Sequence, residues 1–477
     1  MNGLERAIAA ISPRWAFRRR QWRSLLGYYD AAKPSRYRRA ITVDPDRDAV
    51  VQRDRKRLRA IARDLERNND LARGVLNVLV SHVVGRGIGV EPQPVAPDGD
   101  VDDRLARQLR ELWREWSEAP DVSGRYDMGL VQRLMARAWL RDGEALAQHL
   151  IRQRSRDGLR VPYALELAES DWLSDTVSER TRVFDGIELD GWRRPVAYHF
   201  HRRGSDGRME LATRRVDADR VVHLALVDRV GQLRGISVFA SVVTRLQDLR
   251  DYEESERIAA KVAAAMTAMI RKGAPDMYQA EEVGEGDDVV RELTFRPGQI
   301  FDDLRPGESV DVIDTKRPNQ ALPEFRTAML RAVAAGVGAG FSSVARQYDG
   351  TYSAQRQELV EQWSQYAALS DHFVAQFLRP VYRRFVAAAV LSGAVRLPRG
   401  MDVRAASQAM FIPPAIPWID PEKEANAWRA LDEAGYASPQ EIIRRRGLDP
   451  EEVLRQRREW NRMSGMNDGG ARNAGAA

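Results

Sequence analysis

Residues 237–272 read SVFASVVTRLQDLRDYEESERIAAKVAAAMTAMIRK, with neither glycine nor proline. An unbroken run of that length predicts one long helix from Ser237 to Lys272. Ala259, Ala260, Ala263, Ala264, Ala265 and Ala268 keep its second half slim, so another helix can approach closely. Arg250, Arg257 and Lys261 are spaced by seven and four and therefore share a face. The chain beyond reverses its charge. Residues 273–320 hold twelve Asp/Glu against five Lys/Arg and carry Pro275, Pro297, Pro306 and Pro318, which fits an exposed loop-and-strand excursion. A second helix, Glu324 to about Gly340, returns from it, so the order is helix, acidic tip, helix. Gly336, Gly338 and Gly340 alternate along the returning helix, and each costs roughly 1 kcal/mol against alanine in a helix interior. Such a cost points to close packing, a kink or a hinge.

Toward the C-terminus, Ser342–Tyr352 is a short polar loop in which Asp349-Gly350 marks a turn, with a positive φ expected at Gly350. Ser353 is positioned to cap a long helix whose Leu359, Trp363, Tyr366, Phe373 and Phe377 form one stripe. Pro380 interrupts that helix, and a proline-rich crossing from Pro413 to Pro421 leads to helical pieces at Ala425–Ala434 and Pro439–Arg446. The Gly/Asn/Ala-rich end, residues 466–477, reads as a disordered tail.

On the N-terminal side, apolar residues at helical spacing run from Asp54 to Val84, with Asn68-Asn69 as a cap between two helices. Gly85, Gly87 and Gly89 then form a turn and not a phosphate loop, because no Lys-Ser/Thr follows and no strand precedes them. Helices are expected over 101–118 and 129–140. From 144 to 230 the texture changes, with strands at Ala145–Ile151, Val196–Phe200 and Arg220–Leu226 and Asp-Gly turns at 142–143, 157–158, 185–186 and 190–191. His199, His201 and His223 are the candidate metal ligands of this β-containing unit, but no companion has ligand spacing and no metal or other cofactor is expected.

The 477-residue chain has no cysteine, which excludes disulfides, thiolate metal sites and a thiol nucleophile. Its formal charge of +6 is uneven: residues 1–60 hold sixteen Lys/Arg against six Asp/Glu, and Trp15, Phe17, Trp22, Tyr28 and Tyr29 are interleaved with that basic arm. Such an arm suits a phosphate backbone or a docking surface. The most apolar stretch, Ala332–Ala345, is too short to span a membrane, and no apolar signal core follows Arg18–Arg20, so assembly in the cytoplasm is expected. No catalytic motif is present. The acid pairs Asp287-Asp288 and Asp302-Asp303 could in principle hold a two-metal centre, but adjacent acids in a strand point to opposite faces, which favours a solvated docking tip.

Taken in order, the motifs resemble those of lambda-type tailed-phage portal proteins. The resemblance rests on Arg63-Asp64-Leu-Glu-Arg67-Asn68-Asn69, Val83-Val84-Gly85-Arg-Gly87-Ile88, Asp228-Arg229-Val-Gly231-Gln232-Leu-Arg234-Gly235-Ile-Ser237 and Arg296-Pro297-Gly298-Gln-Ile300. It continues through Leu304-Arg-Pro306-Gly307-Glu308, Phe341 through Tyr352-Ser353-Ala-Gln-Arg356, and Pro417-Trp418-Ile-Asp420-Pro421-Glu-Lys423-Glu424. It implies an α+β portal fold, mainly helical. Residues 1–50 would be the arm, 51–236 a wing, 237–272 the first stem helix, 273–320 a clip, 321–341 the second stem helix and 342–353 a tunnel loop. A bent helix over 354–400 would lead to a helical crown at 401–465 and the tail at 466–477. It also implies a homo-oligomeric ring, usually of twelve, at one vertex of the virion capsid. The partners implied are double-stranded DNA bound without sequence preference, the terminase large subunit, the major capsid and scaffolding proteins and a head–tail connector, with no membrane.

On that resemblance the DNA-tunnel candidates are Arg250, Arg257, Lys261, Arg346, Gln347, Tyr348 and Gly350. Ala260, Ala264, Ala268, Gly336 and Gly340 are candidates for the seam between stems, and Asp287, Asp288, Asp302 and Asp303 for docking. The loop reads Arg346-Gln347-Tyr348-Asp349 where many relatives have a Leu-Ser-Arg-Asp-like run. A conduit must not hold DNA tightly, since phosphate contacts accumulate affinity, so mixed charge is expected. The competing expectations are a metal-dependent nucleic-acid enzyme using the acidic 276–314 segment and a monomeric helical adaptor.

Overall fold

A computed structural model describes residues 47–152, 158, 160–175, 178, 182–204, 209–265, 269–272, 308–311, 321–416 and 421–464. The basic arm, Ala268, the acids Asp287, Asp288, Asp302 and Asp303, and the tail lie outside them. By compactness the chain divides at Arg53; of residues 1–53 only 47–53 are described, and they are helical.

Helix α1 (Arg47–Asn68) and helix α2 (Asp70–Val83) meet at Asn69, whose Oδ1 accepts the Ala72 N–H at 2.9 Å and caps α2 as its sequence position predicts. Gly85 and Gly87 take positive φ and turn the chain into β1 (Gly89–Pro92). Helix α3 (Asp103–Ser117) is capped by Asp102, and α4 (Met128–Asp142) by Asp127. Gly143, at φ 91, ends α4 and starts β2 (Glu144–Ile151).

Two antiparallel sheets follow. The first has the order β3 (Tyr163–Glu169), β2, β8 (Val221–Ala225). The second runs β4 (Val183–Phe184), β5 (Ile187–Leu189), β6 (Pro195–Arg203), β7 (Met209–Asp217). Leu146, Leu173, Ile187, Leu189, Tyr198 and Phe200 pack into a small core shared by the two sheets. Two of the expected strands fall within β2 and β6, and β8 lies inside the third, Arg220–Leu226. His199 and His201 sit on β6 and His223 on β8, in different sheets. His223 Nε2 instead lies 3.0 Å from Glu144 Oε2. No group of three or more His, Asp or Glu among the described residues could hold a metal.

A buried charge network joins these sheets to α1. Arg234 meets Glu144, and its NH1 donates to the Asp185 carbonyl at 2.6 Å. Arg55 pairs with the Asp185 carboxylate, Arg59 donates to Ser170 Oγ at 2.6 Å, and Arg63 forks onto Asp142 at 3.0 and 2.6 Å. Bidentate geometry of this kind suits guanidinium and not ammonium, which accounts for the arginine in this part of the sequence.

The long helix is shorter than its composition predicts: α5 spans Val243–Ala265. At its start Ser237 Oγ accepts the Phe239 N–H, and Val242 N donates to the Phe239 carbonyl, so serine bonds its own backbone in a turn that buries Phe239 and Val242. At its end Met269–Lys272 forms β9, paired antiparallel with β10 (Glu308–Asp311), Met269 opposite Asp311. Ladder pairing there overrides helix propensity and draws together the two ends of residues 273–307. Helix α6 (Leu322–Val337) stops at Gly338 in the left-handed region, φ 67, short of the expected Gly340, and α7 (Phe341–Ala345) is a single turn.

Helix α8 (Tyr352–Phe373) is capped by Thr351 and not by Ser353, the Ala354 N–H reaching Thr351 Oγ1 at 3.4 Å. A π-turn over Val374–Leu378 connects it without a break to α9 (Arg379–Leu391), and Pro380 stands directly after that π-turn. Its stripe enters the main core: Tyr366, Phe373 and Phe377 are buried with Trp113, Trp116, Trp139, Tyr382 and Phe385 from α3, α4 and α9. Short helix α10 (Val403–Ala406) precedes β11 (Ala409–Ile412), which pairs with β1, Gly89 opposite Ile412. Helices α11 (Pro421–Glu433), α12 (Pro439–Arg445) and α13 (Pro450–Ser464) complete the chain, α12 being tied to β1 by the forked Arg444–Glu91 pair at 2.9 and 3.0 Å.

Candidate nucleic-acid interface

Helices α5 and α6 lie side by side because aromatic and charged residues mesh between them. The rings of Tyr252 and Phe325 are 4.8 Å apart, and Arg326 Nε donates to Glu253 Oε1 at 2.7 Å. Leu246 and Leu249 turn to the core, fully buried. With those faces occupied, Arg257 and Lys261 stand exposed and form no ion pair among the described residues. Arg250 is partly exposed and pairs with Asp251 at 3.4 Å, a contact that solvent screens. The three cations thus form an accessible row.

Two of the small residues expected at a seam between subunits pack closely within their own chain. A Cβ at Gly336 would overlap Val242 Cγ1, and the Gly336 carbonyl accepts Ser241 Oγ–H at 3.3 Å. At Gly340 a Cβ would come 3.2 Å from Glu358 Oε1. At Gly336 α6 passes tightly over the turn before α5, and at Gly340 the segment between α6 and α7 lies close to α8. Ala260 is exposed on α5, and Ala264 lies within the same helix.

The loop after α7 is held at its root and free at its tip. Glu358 Oε1 accepts the Ser342 N–H at 2.9 Å and Oε2 accepts the Ser342 hydroxyl at 2.6 Å. Gly340 N–H donates to the Tyr366 hydroxyl at 3.2 Å, and Tyr366 stacks on His82 with centroids 4.7 Å apart. Burial raises the Tyr366 phenol pKa, so it stays neutral. Beyond that root Arg346, Gln347, Tyr348, Asp349 and Gly350 are exposed, with Gln347 Nε2 donating to Asp349 Oδ2 at 2.6 Å. The left-handed residue of the loop is Arg346, φ 55, and Gly350 is not left-handed, contrary to the Asp-Gly expectation. The Gln347–Asp349 bond and the Thr351 cap shape the turn without needing a positive φ at Gly350.

Arg346 forms no ion pair among the described residues, so this loop offers a solvated cation, as does the α5 row through Arg257 and Lys261, with Arg250 beside Asp251. That arrangement attracts a phosphate backbone weakly and without sequence preference. Glu358, the anchor of the loop root, escaped sequence reasoning. Its signal was present in the polar series Gln355, Glu358 and Gln362, spaced by three and four on one face of α8.

The chain is similar to several known proteins along most of its length. The "Probable portal protein" of Halomonas phage phiHAP-1 is 26% identical over 429 residues, covering 86% of this chain and 81% of that protein. Portal protein B of Escherichia phage lambda is 22% identical over 447 residues, covering 86% of this chain and 84% of that protein. A chain from the neck of an empty gene transfer agent (GTA) particle superposes with a TM-score of 0.46 at 15% identity, over 83% of this chain and 94% of that one. The sequence model of the family described as "Phage portal protein, lambda family" matches residues 33–369, and the chain belongs to that family.

Proposed function

We propose that this portal-family chain is one subunit of a closed ring of about twelve copies at one capsid vertex, with double-stranded DNA passing through the centre during packaging and ejection. The observation that carries the proposal is the family match over residues 33–369, joined to solvated cations on α5 and on the loop after α7. Helices α5 and α6 serve as the stem and residues 342–353 as the tunnel loop. Residues 273–320, rooted in the β9–β10 pair, form the clip that meets the terminase large subunit and later the head–tail connector. Residues 51–236 form the wing, facing major capsid and scaffolding proteins, and α11–α13 contribute to the crown. The role is structural: the row of cations steers and centres a polyanion without trapping it, as mixed charge along α5 favours.

Native mass spectrometry of the purified protein tests the proposal. A cyclic assembly of about twelve chains is the expected result. A chain that stays monomeric at every concentration, or that cleaves plasmid DNA with added divalent metal, would sink it.

A further inference from the structure

Trp192 stands in the turn between β5 and β6 and is 86% exposed, a large apolar surface left in water. The turn that carries it is braced. Asp190 Oδ1 accepts the N–H groups of Trp192 and Arg194 at 2.8 and 2.9 Å, Asp190 N–H donates to the Arg194 carbonyl at 2.9 Å, and Arg193 N–H donates to the Asp190 carbonyl at 3.1 Å. Three arginines flank the tip. Arg193 lies over the Phe184 ring at 5.6 Å, Arg194 pairs with Asp190 at 2.7 Å, and the exposed Arg182, whose Nη1 approaches Gly191, forms no ion pair among the described residues. Tryptophan and arginine are the residues that most often dominate binding energy between proteins, and a turn already fixed loses little freedom when it docks. Duplex DNA would meet the arginines but offers no apolar surface on its outside for a lone indole. The tip therefore fits an acidic protein surface with an apolar centre.

The same chain carries such a surface. Residues 97–103 read PDGDVDD, and their turn is also braced: Ala96 N–H donates to the Asp100 carbonyl at 2.8 Å, Gly99 N–H to the Ala96 carbonyl at 2.9 Å and Asp100 N–H to Asp98 Oδ1 at 3.1 Å. Asp102 is occupied as the cap of α3, but Asp98, Asp100 and Asp103 are exposed and form no ion pair among the described residues. Val101, between them, is 45% exposed. On α13, by contrast, Glu452 and Glu459 are both matched by Arg455. The two turns belong to different parts of the subunit: Leu189, before the Trp192 turn, packs in the small core of the sheets, whereas Ala96 and Leu105, on either side of the acidic turn, pack in the main core. A closed ring joins two different faces of one chain. We propose that the Trp192 turn of one copy docks on the Asp98–Asp103 turn of the next, the indole covering Val101 and the arginines meeting the three carboxylates. The contact rests on the ring proposed above and names the surfaces that meet within it.

The chain has no cysteine, so introduced thiols report the contact directly. Gly191→Cys and Asp100→Cys suit the purpose: a Cβ at Gly191 meets nothing nearer than Arg182 Nη1 at 3.8 Å, and Asp100 lies on an exposed turn. Full-length protein carrying both changes, treated with a short bismaleimide and run on a denaturing gel, should give a ladder of linked chains reaching about twelve, and each single variant should give none. Independently, Trp192→Ala should raise the protein concentration at half assembly by about thirtyfold while the dissociated subunit unfolds at the same midpoint, since the indole is exposed in the single chain. Arg182→Glu and Asp100→Arg should each lower assembly about tenfold and together recover most of it. An unaltered chain that stays monomeric defeats the ring and this contact with it. A ring of normal mass that yields no linked chains, or only a monomer linked within itself, defeats the contact alone. So does normal assembly of Trp192→Ala with weakened binding of duplex DNA, which would make the tip a nucleic-acid surface. Failure of the Arg182→Glu/Asp100→Arg double variant to recover, with both single losses present, overturns the pairing of the two turns.

Discussion

Arg234 Nε donates to both carboxylate oxygens of Glu144 at 2.9 Å, and each side chain is 1% exposed. The pair sits where the glycines of two segments touch: a Cβ at Gly235 would overlap the Gly143 carbonyl oxygen. Arg234 therefore holds the segment after β8 against the start of β2. Removing one partner leaves a buried charge unpaired. Arg234→Met is expected to destabilise the subunit by about 3–5 kcal/mol, while Arg234→Met/Glu144→Leu recovers a large part of that loss. Urea unfolding followed by circular dichroism checks both; a double variant no better than the single one would show that the pair's own attraction, and not the orphaned charge, dominates.

Acid should act on the same pair. Burial alone would raise the Glu144 pKa, but the charge of Arg234, with hydrogen bonds from His223 and Arg234, holds it well below its usual 4.5. Because the folded pKa is depressed, the stabilisation is fully present above the unfolded value and is lost as pH falls from about 4.5 through the folded pKa. Unfolding midpoints measured from pH 7 down to about pH 3 should fall more steeply for the unaltered protein than for Arg234→Met/Glu144→Leu. Parallel curves would contradict this.

Local chemistry made much of the fold legible before any coordinates. Asn69 caps α2 because a side-chain oxygen three residues before an N–H is a pairing the sequence itself contains, and Gly143 ends α4 because a glycine after its last turn accepts the left-handed region without strain. The ends of α5 differ from the expected ones because they depend on partners far along the chain. Strand β9 exists through its pairing with Glu308–Asp311, and the Ser237 turn through the burial of Phe239. Arg234 stands in one of the family-like motifs, yet no sequence signal marks an arginine as buried when its carboxylate lies ninety positions away. The loop root was hidden for a different reason: Glu358 looks like an ordinary surface residue until Ser342 bonds to it.

Gly336 should behave as an internal packing residue. A Cβ there overlaps Val242 Cγ1, so Gly336→Ala is expected to lower subunit stability by about 1–3 kcal/mol while any ring that forms keeps its subunit number. Thermal unfolding and native mass read the two effects separately. Unchanged stability with a changed subunit number would return this glycine to the interface.

Arg346 holds the one strained backbone of the exposed loop, at φ 55. Arg346→Gly should remove that cost and stabilise the loop by roughly 1 kcal/mol, while Arg346→Asn, also tolerant of the left-handed region, should be nearly neutral. Gly350 needs no positive φ, and a Cβ there meets Gln355 at an ordinary 3.5 Å, so Gly350→Ala should leave stability and packaging unaltered. A packaging defect in Gly350→Ala, with Arg346→Asn normal, would place the working part of the loop at its second half.

The row Arg250, Arg257 and Lys261 separates a DNA-facing role from an interface role. If these cations meet phosphate, changing each to glutamine lowers the affinity of the assembled protein for DNA and flattens its salt dependence, the slope of log K against log salt falling by about 0.9 for each phosphate no longer neutralised. Assembly survives, because α5 is held to α6 by Tyr252–Phe325 and Arg326–Glu253 and to the core by Leu246 and Leu249, none of which the changes touch. If the row instead pairs with carboxylates of a neighbouring copy, the same changes reduce ring yield, and DNA affinity per assembled ring stays as it was. Sedimentation and filter binding at several salt concentrations, measured on the triple variant and on each single one, distinguish the two. Arg257 and Lys261, exposed and without an ion pair among the described residues, should carry most of the slope, and Arg250, beside Asp251, the least. An unchanged slope with an intact ring in the triple variant would remove this face of α5 from the path of DNA.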